Sequence, residues 1–367
     1  MLLGYKYRLY PNKNQKEYFE KCFGCVRFIY NRMLADKIEY YNKNEQKLNN
    51  TPAQYKKEFV WLKEVDSLAL ANAQINLQTA YNNFFNRPEM GFPKFKSKKD
   101  HKYSYTTNNQ GNNIRIENGY INLPKIKWVK IKQHRTFFGV IKSVTITKTS
   151  SGKYYASILV EREDQEKLKE ANGAVGIDLG LNKFIAMSNG KLIDNPRFFS
   201  KSETRLRKLQ KDMSRCENGS KNREKCRIKV AKQYEKIVNQ RKDFLHKVSK
   251  QIIDENQIIV LETLDVQDML GNRKLSKSIT DVSWGELVRQ LEYKSNWYER
   301  EIIRIDPWFP SSQICSNCNY NAGKKDLSVR EWICPKCNIS HERDINAAIN
   351  ILNEGLRIKS VGTTRIA

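Results

Sequence analysis

The sequence predicts a multidomain α+β protein, because three stretches of the chain follow three different patterns of apolar residues. Apolar residues recur at helical spacing within residues 13–90, and they alternate with polar residues within residues 100–165. From residue 174, short apolar runs are separated by long helical stretches. The length of 367 residues fits two or three domains.

The composition points to a partner that is an anionic polymer. The chain has 66 Lys and Arg against 40 Asp and Glu, a formal charge of +26, and such a surplus is tolerated when phosphates neutralise it. No apolar stretch approaches the roughly 20 residues that a transmembrane helix needs, and the amino terminus does not resemble a secretory signal. We therefore expect a cytoplasmic protein.

The basic residues are clustered, which favours nucleic acid over a merely soluble basic protein. Residues 201–250 contain 17 Lys and Arg but 6 Asp and Glu. Four more lysines lie within six residues, namely Lys94, Lys96, Lys98 and Lys99.

The first half of the chain predicts a helical domain followed by a β domain. Residues 4–10 alternate like a strand, and helical stripes follow from residue 14 to about 41 and from 70 to 84, with a polar loop over 42–54. Asn118-Gly119 and Ser150-Ser151-Gly152 then predict hairpin turns. Residues 100–165 are therefore expected to form a β-barrel or sheet, closed by the first strand.

The second half predicts apolar strands and long helices. Strands are expected at 175–180, 183–187, 191–193, 258–261 and 302–305, and helices at about 200–253 (two long basic helices), 284–300 and from His341 onward.

Three acidic residues lie where an acid is costly. Asp178 sits within an apolar strand bounded by glycines, Glu262 follows four aliphatic residues, and Asp344 begins a helix. Each acid alone has an ordinary explanation as a strand-end or helix-capping carboxylate. Together, behind a large positive charge, they match the layout of an RNase H-like nuclease core, in which two Mg²⁺ ions hydrolyse a phosphodiester.

The eight cysteines are more consistent with thiols or metal ligands than with disulfides in a cytosolic chain. Two C-x-x-C pairs separated by fifteen residues predict one structural Zn²⁺ bound by Cys315, Cys318, Cys334 and Cys337. Cys22 and Cys25 fall on an apolar helical stripe and are expected in the core. Cys216 and Cys226 are isolated in the sequence and receive no role.

Several segments resemble the TnpB (OrfB) family, transposon-encoded RNA-guided DNA nucleases related to the type V CRISPR effectors, and the resemblance covers nearly the whole chain. The matching segments are Tyr7–Pro11, Phe92–Lys99, Gly176–Gly180, Leu261-Glu262, Ser283–Lys294, the run from Phe309 to Cys318, and Arg343–Ala348. Members often carry Asp where this chain has Glu342, a mild departure.

The resemblance implies a domain organisation. A wedge-like β-barrel is expected at residues 1–12 and 91–168, with a helical recognition domain inserted at 13–90. An RNase H-like (RuvC) α/β nuclease domain is expected at 169–312 and 341–367, with an inserted zinc ribbon at 313–340.

The resemblance also implies functional residues and partners. Asp178, Glu262 and Asp344 would be the RuvC catalytic acids that bind two Mg²⁺ ions, and the four cysteines would bind zinc. The partners would be a structured guide RNA and a double-stranded target DNA carrying a short adjacent motif. Nucleic-acid contacts are expected from Ser67, Leu68, Ala71, Lys94, Lys96, Lys98 and Lys99, although Leu68 and Ala71 also fit ordinary helix packing. Residues 265–283 are expected to form a lid over the nuclease site, or a plain surface loop.

Two other functions remain open at this stage. One is an RNase H-like transposase that joins DNA ends without RNA, which would need an end-binding domain that the sequence does not show. The other is a non-cutting RNA-guided repressor or nucleic-acid scaffold, which loss of a catalytic acid would favour. All three acids are present.

Overall fold

The computed structural model describes residues 1–163, 168, 171, 173–263, 276–326 and 328–364. The chain divides into two compact units, Met1–Asp164 and Gln165–Ala367. Each unit contains both helices and a sheet, so the expected α+β class is confirmed.

The first unit contains one antiparallel sheet of seven strands, in the order β2-β6-β7-β1-β5-β4-β3. Its strands are β1 (Leu2–Tyr10), β2 (Tyr103–Asn108), β3 (Arg115–Glu117), β4 (Tyr120–Leu123), β5 (Lys127–Lys132), β6 (Val140–Lys148) and β7 (Tyr154–Glu161). The first strand joins this sheet as expected, but it does not close a barrel. It lies at the centre between β7 and β5, and the ladders of the described residues leave β2 and β3 at the edges.

Three helices separate β1 from the other strands of this unit: α1 (Lys13–Asn44), α2 (Pro52–Glu58) and α3 (Ser67–Asn86). Helix α1 begins with a capping box in which Asn12 and Gln15 bond reciprocally to each other's backbone N–H. It packs on the sheet through Phe19, whose ring lies 6.2 Å from Tyr105 and 5.7 Å from Tyr154. Cys22 and Cys25 are buried on the same helix, which confirms their expected place in the core.

The second unit contains a five-stranded mixed sheet in the order β10-β9-β8-β11-β12. Its strands are β8 (Ala174–Leu179), β9 (Lys183–Met187), β10 (Leu192–Asp194), β11 (Ile258–Glu262) and β12 (Glu301–Ile305). Strands β8, β11 and β12 are parallel to one another, and β9 and β10 run antiparallel to their neighbours. The unit also contains α4 (Phe198–Ser214), α5 (Lys221–Glu255), α6 (Ser276–Val282), α7 (Trp284–Tyr298) and α8 (Arg343–Thr364).

Apolar side chains cover both faces of this sheet. On one face, Ile177 and Leu261 pack in a core that includes residues of α5 and α7. On the other face, Val260 and Ile305 pack against Ile351 of α8. Parallel strands buried on both faces explain why their sequence is continuously apolar rather than alternating.

Helix α8 approaches the sheet closely because two glycines leave room for it. A Cβ at Gly176 of β8 would lie 2.1 Å from the Ala348 carbonyl oxygen, and a Cβ at Gly355 would lie 2.4 Å from Cγ1 of Val260. Any side chain at either position would therefore push the helix away from the sheet.

The start of α8 differs from the sequence prediction. His341 and Glu342 belong to a short strand, β14 (Ser340–Glu342), which pairs with β13 (Glu331–Ile333), and the helix begins at Arg343. None of the described helices is long and apolar enough to cross a membrane.

Candidate active site and metal site

The three predicted acids reach one end of the second sheet from three different elements. Asp178 lies on β8, and Glu262 ends the adjacent parallel strand β11. Asp344 lies in the first turn of α8, the helix that the close approach at Gly176 holds against β8. Carboxyl ends of parallel strands are the usual place for a ligand site in such sheets.

The three carboxylates interact electrostatically. Burial is the largest effect on Asp178, and the negative charges of Glu262 and Asp344 add to it, so that the pKa of Asp178 rises to about 8 despite the opposing charge of Arg343. Burial also raises the pKa of Glu262. Like charges in a site of low polarity disfavour one another, and a bound cation would relieve this repulsion.

Each of the other two acids has a partner that the sequence did not suggest. The Ser311 hydroxyl donates to Oε1 of Glu262, and this bond opposes the rise in the Glu262 pKa. Asp344 lies 3.6 Å from the Arg330 guanidinium. Glu342 accepts the backbone N–H of Ile345 at 2.7 Å and so caps α8. Because Glu342 performs this role, Asp344 is not the capping residue.

Two buried asparagines of α8 fix the segment that carries Ser311. Asn350 donates to the Ser311 carbonyl at 2.8 Å and to the Ile314 carbonyl at 2.7 Å. Asn346 also donates to Ile314, at 2.7 Å, and accepts the Ser316 N–H at 2.9 Å. The helix that carries Asp344 therefore also positions the hydroxyl that contacts Glu262.

The four predicted zinc ligands converge in the second unit. Their sulfur atoms all lie within 4.8 Å of one another, and the Cys315–Cys337 and Cys318–Cys334 sulfurs are 3.6 Å apart. Four sulfurs at about 2.3 Å from a tetrahedral Zn²⁺ would be about 3.8 Å apart, so the arrangement fits that ion.

The two cysteine pairs lie in two separate backbone turns of the same type. In the first, Asn319 N–H donates to the Cys315 carbonyl and Cys315 N–H donates to the Tyr320 carbonyl, both at 2.9 Å. In the second, Asn338 N–H donates to the Cys334 carbonyl and Cys334 N–H donates to the Ile339 carbonyl, again both at 2.9 Å. Each asparagine has a left-handed backbone with φ of 57°. The repeated Cys-x-x-Cys-Asn sequence is the local signal for this turn.

The neighbouring thiols share their protons unequally, so that the pKa of Cys334 is lowered and that of Cys318 is raised. Burial raises the pKa of the Cys334 thiol, but the backbone N–H groups of Cys337 and Lys336 outweigh it and lower the pKa to about 6. Nε2 of the buried His341 lies 3.0 Å from the Cys315 sulfur, and its ring lies 4.8 Å from that of Trp332.

The two candidate metal sites differ in how tightly their ligands converge. Within the described ranges, the four cysteines are the one group of at least three His, Cys, Asp or Glu side chains whose ligand atoms lie close enough to share an ion. The three carboxylates influence one another, but Glu262 is bonded to Ser311 and Asp344 lies beside Arg330.

The residues proposed to read the adjacent motif lie together on α3 of the first unit. Ser67 is exposed, and Leu68 and Ala71 are half-buried in the first two turns of the helix. The core of this helix is formed instead by Ala69, Leu70, Ala73 and Leu77. Its start is capped by Asp66, which accepts the Leu68 N–H at 3.1 Å.

The four predicted lysines of the first unit lie on an exposed segment. Lys94, Lys96, Lys98 and Lys99 are all exposed. The backbone of Lys96 is fixed by a two-way bond with the Asn31 side chain of α1, at 2.8 and 2.9 Å, and its ammonium lies 3.8 Å from the ring centre of Tyr30. The structure thus orders this segment and leaves the charges of Lys94, Lys98 and Lys99 accessible.

Two further sequence predictions concern other parts of the second unit. Cys216 and Cys226 are isolated in the sequence, but the turn between α4 and α5 brings their sulfurs to 3.8 Å. Of the predicted lid at 265–283, residues 265–275 lie outside the described residues, and the rest includes α6.

Three family models match the chain. Residues 157–273 match OrfB_IS605, described as a "probable transposase", and residues 284–351 match the "Cas12f1-like, TNB domain". Residues 1–46 match a model described as a "helix-turn-helix domain". In this structure the same residues form one strand and one continuous helix, β1 and α1.

Two similar proteins and one solved structure extend the match to nearly the full length. A Streptomyces pristinaespiralis protein described as a "putative RNA-guided DNA endonuclease" is 37% identical, over 98% of this chain and 90% of its own length. InsQ of Escherichia coli K12, described in the same words, is 31% identical, over 98% and 94%. A cryo-EM structure of a Cas12f1–sgRNA–target DNA complex has a similar fold, with a TM-score of 0.63 and 17% identity, covering 93% of this chain and 83% of that chain. On the full-length similarity and the family match, the chain belongs to the OrfB (TnpB) family.

Proposed function

We propose that this protein is an RNA-guided DNA endonuclease that cuts with a single RuvC-type site. The observation that carries this proposal is the meeting of Asp178, Glu262 and Asp344 at one end of a mixed sheet, in a chain with a charge of +26. Two similar proteins are described as RNA-guided DNA endonucleases, so RNA and DNA are the polyanions that we expect this positive charge to bind.

The sheet topology supports the RuvC assignment. When the strands are numbered by their order along the chain, they lie side by side as 3-2-1-4-5. Strands 1, 2 and 3 are antiparallel to their neighbours among these three, and strands 4 and 5 are parallel to strand 1. This is the order of an RNase H-like core. We assign residues 169–312 and 341–367 to that domain and residues 313–340 to a zinc ribbon.

The acid cluster fits Mg²⁺, because carboxylate oxygens are the ligands this ion prefers. Asp178, Glu262 and Asp344 would hold two ions, which when bound would activate a water and stabilise the leaving oxygen of the phosphodiester. Ser311 would orient Glu262 in the ionised form. Arg330, whose guanidinium lies 3.6 Å from Asp344, would supply positive charge beside the phosphate.

The cysteine cluster would hold one structural Zn²⁺, since four thiolates leave no open position for catalysis. Zinc would also support the active site indirectly, because β14 leads directly into the helix that carries Asp344. Arg330 and Arg343 are joined there by a 2.8 Å backbone bond.

The first unit would bind the guide RNA and the target duplex. We assign its sheet (1–12 and 91–168) to a wedge domain and residues 13–90 to a recognition domain. Ser67, Leu68 and Ala71 present one exposed or half-buried face at the start of α3, where they could contact the bases of the adjacent motif. The exposed lysines at 94–99 would contact phosphates, which position the protein without reading sequence.

The proposal is tested with purified protein, the RNA that co-purifies with it, and a plasmid library in which the matched target has randomised flanks. We expect cutting that requires RNA, Mg²⁺, a matched target and one short flanking motif. Asp178→Asn, which keeps the shape of the side chain, is the matched control and should bind the target without cutting it. Site-specific cutting without RNA would favour the transposase, and binding without cutting by the wild-type protein would favour the repressor.

A further inference from the structure

Trp308 is the most exposed large apolar side chain among the described residues, with 88% of its surface accessible. Tryptophan is enriched at binding interfaces because its ring offers a large, rigid apolar surface. Its accessibility therefore calls for an occupant.

The backbone beneath Trp308 is rigid. Asp306, Pro307, Trp308 and Phe309 form a β-turn closed by a 3.1 Å bond from Phe309 N–H to the Asp306 carbonyl. The Asp306 carboxylate also accepts the backbone N–H of Trp308 at 2.7 Å, and the ring of Pro307 fixes the φ angle of that residue. The ring is thus presented by a turn with little conformational freedom left to lose on binding.

Both ends of this turn are anchored at the active site. The turn follows β12, whose last residue, Ile305, is in register with Glu262, and the Ile305 carbonyl accepts the Thr263 hydroxyl at 2.8 Å. After the turn, Phe309 packs in the core with Val260, and Ser311 donates to Glu262. The loop that carries the exposed ring is therefore the same loop that orients a predicted catalytic acid.

We propose that Trp308 is a substrate-binding residue on which an unpaired base of the DNA strand being cut stacks, next to the scissile phosphate. This inference rests on the proposed nuclease function. RNA-guided recognition displaces one DNA strand from the target duplex, and the unstacked bases of that strand then lack a stacking surface. Aromatic rings supply such a surface for any base, because every base has a π-face.

The test pairs Trp308 variants with single-stranded DNA substrates in which one base at a time, near the cut, is replaced by an abasic residue. The protein is used as its full-length complex with guide RNA. We expect Trp308→Ala to raise KM about tenfold with a smaller effect on kcat. Trp308→Phe should restore most of the loss because it keeps a ring. Leu192→Ala, which removes an exposed apolar side chain from β10 at the opposite edge of the same sheet, is the matched control and should cut as the wild type does.

The decisive result is a double-mutant cycle between the ring and the missing base. At one abasic position the KM of the wild-type complex should rise about as much as the KM of Trp308→Ala rises on intact DNA. Combining the two changes should raise KM little further. Additive losses at every position, or unchanged KM in Trp308→Ala, would overturn the inference while leaving the nuclease function intact. If the wild-type complex cuts no unmodified DNA, the proposed function itself fails, and the inference fails with it.

Discussion

Removing the Ser311 hydroxyl should weaken metal binding at the active site without unfolding the protein. Ser311 is 7% exposed, and its hydroxyl donates to Glu262, whose pKa burial already raises. A hydrogen bond to a charged group contributes about 1.5–3 kcal/mol, so Ser311→Ala should weaken Mg²⁺ binding roughly ten- to a hundredfold. The Ser311 carbonyl, which accepts from Asn350, is kept in this variant.

The same variant should change the pH dependence of cutting in a defined direction. Loss of the hydroxyl removes the bond that lowers the Glu262 pKa, so the protonated, metal-free form of Glu262 persists to higher pH. The acidic limb of the rate profile should therefore move to higher pH.

The assay is Mg²⁺ titration of both cutting rate and binding heat, at several pH values. Ser312→Ala is the matched control, because the Ser312 contact with Lys325 is made by its carbonyl. Ser311→Thr should keep most of the wild-type affinity. An unchanged Mg²⁺ affinity in folded Ser311→Ala would refute the role assigned to this hydroxyl.

Three further predictions follow from the two proposed metal sites and the core. Replacing any one of Asp178, Glu262 and Asp344 by alanine should abolish cutting while target binding persists, and double variants should lose little more activity. Cleavage and gel-shift assays measure the two properties separately, and cutting above a few per cent of the wild-type rate by a single variant would contradict that residue's assignment. Elemental analysis should find about one zinc per chain, and Cys334→Ser should lower the melting temperature and the zinc content together, because zinc binding here is folding free energy; zinc-free active protein would exclude the site. Burial lowers the pKa of Lys294, which donates to Ser249 at 2.6 Å, to about 8. The unfolded chain therefore binds more protons than the folded chain between pH 8 and about 10.5, and the free energy of unfolding should rise by up to about 3 kcal/mol across that window. Denaturant unfolding of Lys294→Met should show a smaller rise, and an identical pH dependence would contradict this cause.

The long apolar patterns in the sequence predicted most of the fold. The Asn118-Gly119 hairpin forms as expected, with both residues in the left-handed region, and the apolar runs at 175–180 and 258–261 correspond to β8 and β11. The sequence did not predict strand β5 because three lysines and Trp128 occupy its exposed positions and only Val129 and Ile131 are buried. Helix α2 was missed because it is short and polar.

The acids and cysteines could be predicted, but not their partners. Strand ends and C-x-x-C spacing are local signals, whereas Ser311 meets Glu262 across 49 positions of sequence. The Arg330–Asp344 contact likewise depends on the pairing of β13 with β14. Glu342, interpreted from sequence only as a departure from the family pattern, proves to cap α8.

The central claim is that an RNA directs where this protein cuts, and changing the guide tests it most directly. The guide segment of the co-purified RNA is replaced by a second sequence, and two plasmids, each matching one guide beside the same motif, are offered together with Mg²⁺. The account predicts that the cut moves to the second plasmid and that Asp178→Asn cuts neither. A cut that stays at the first site with either guide would contradict it.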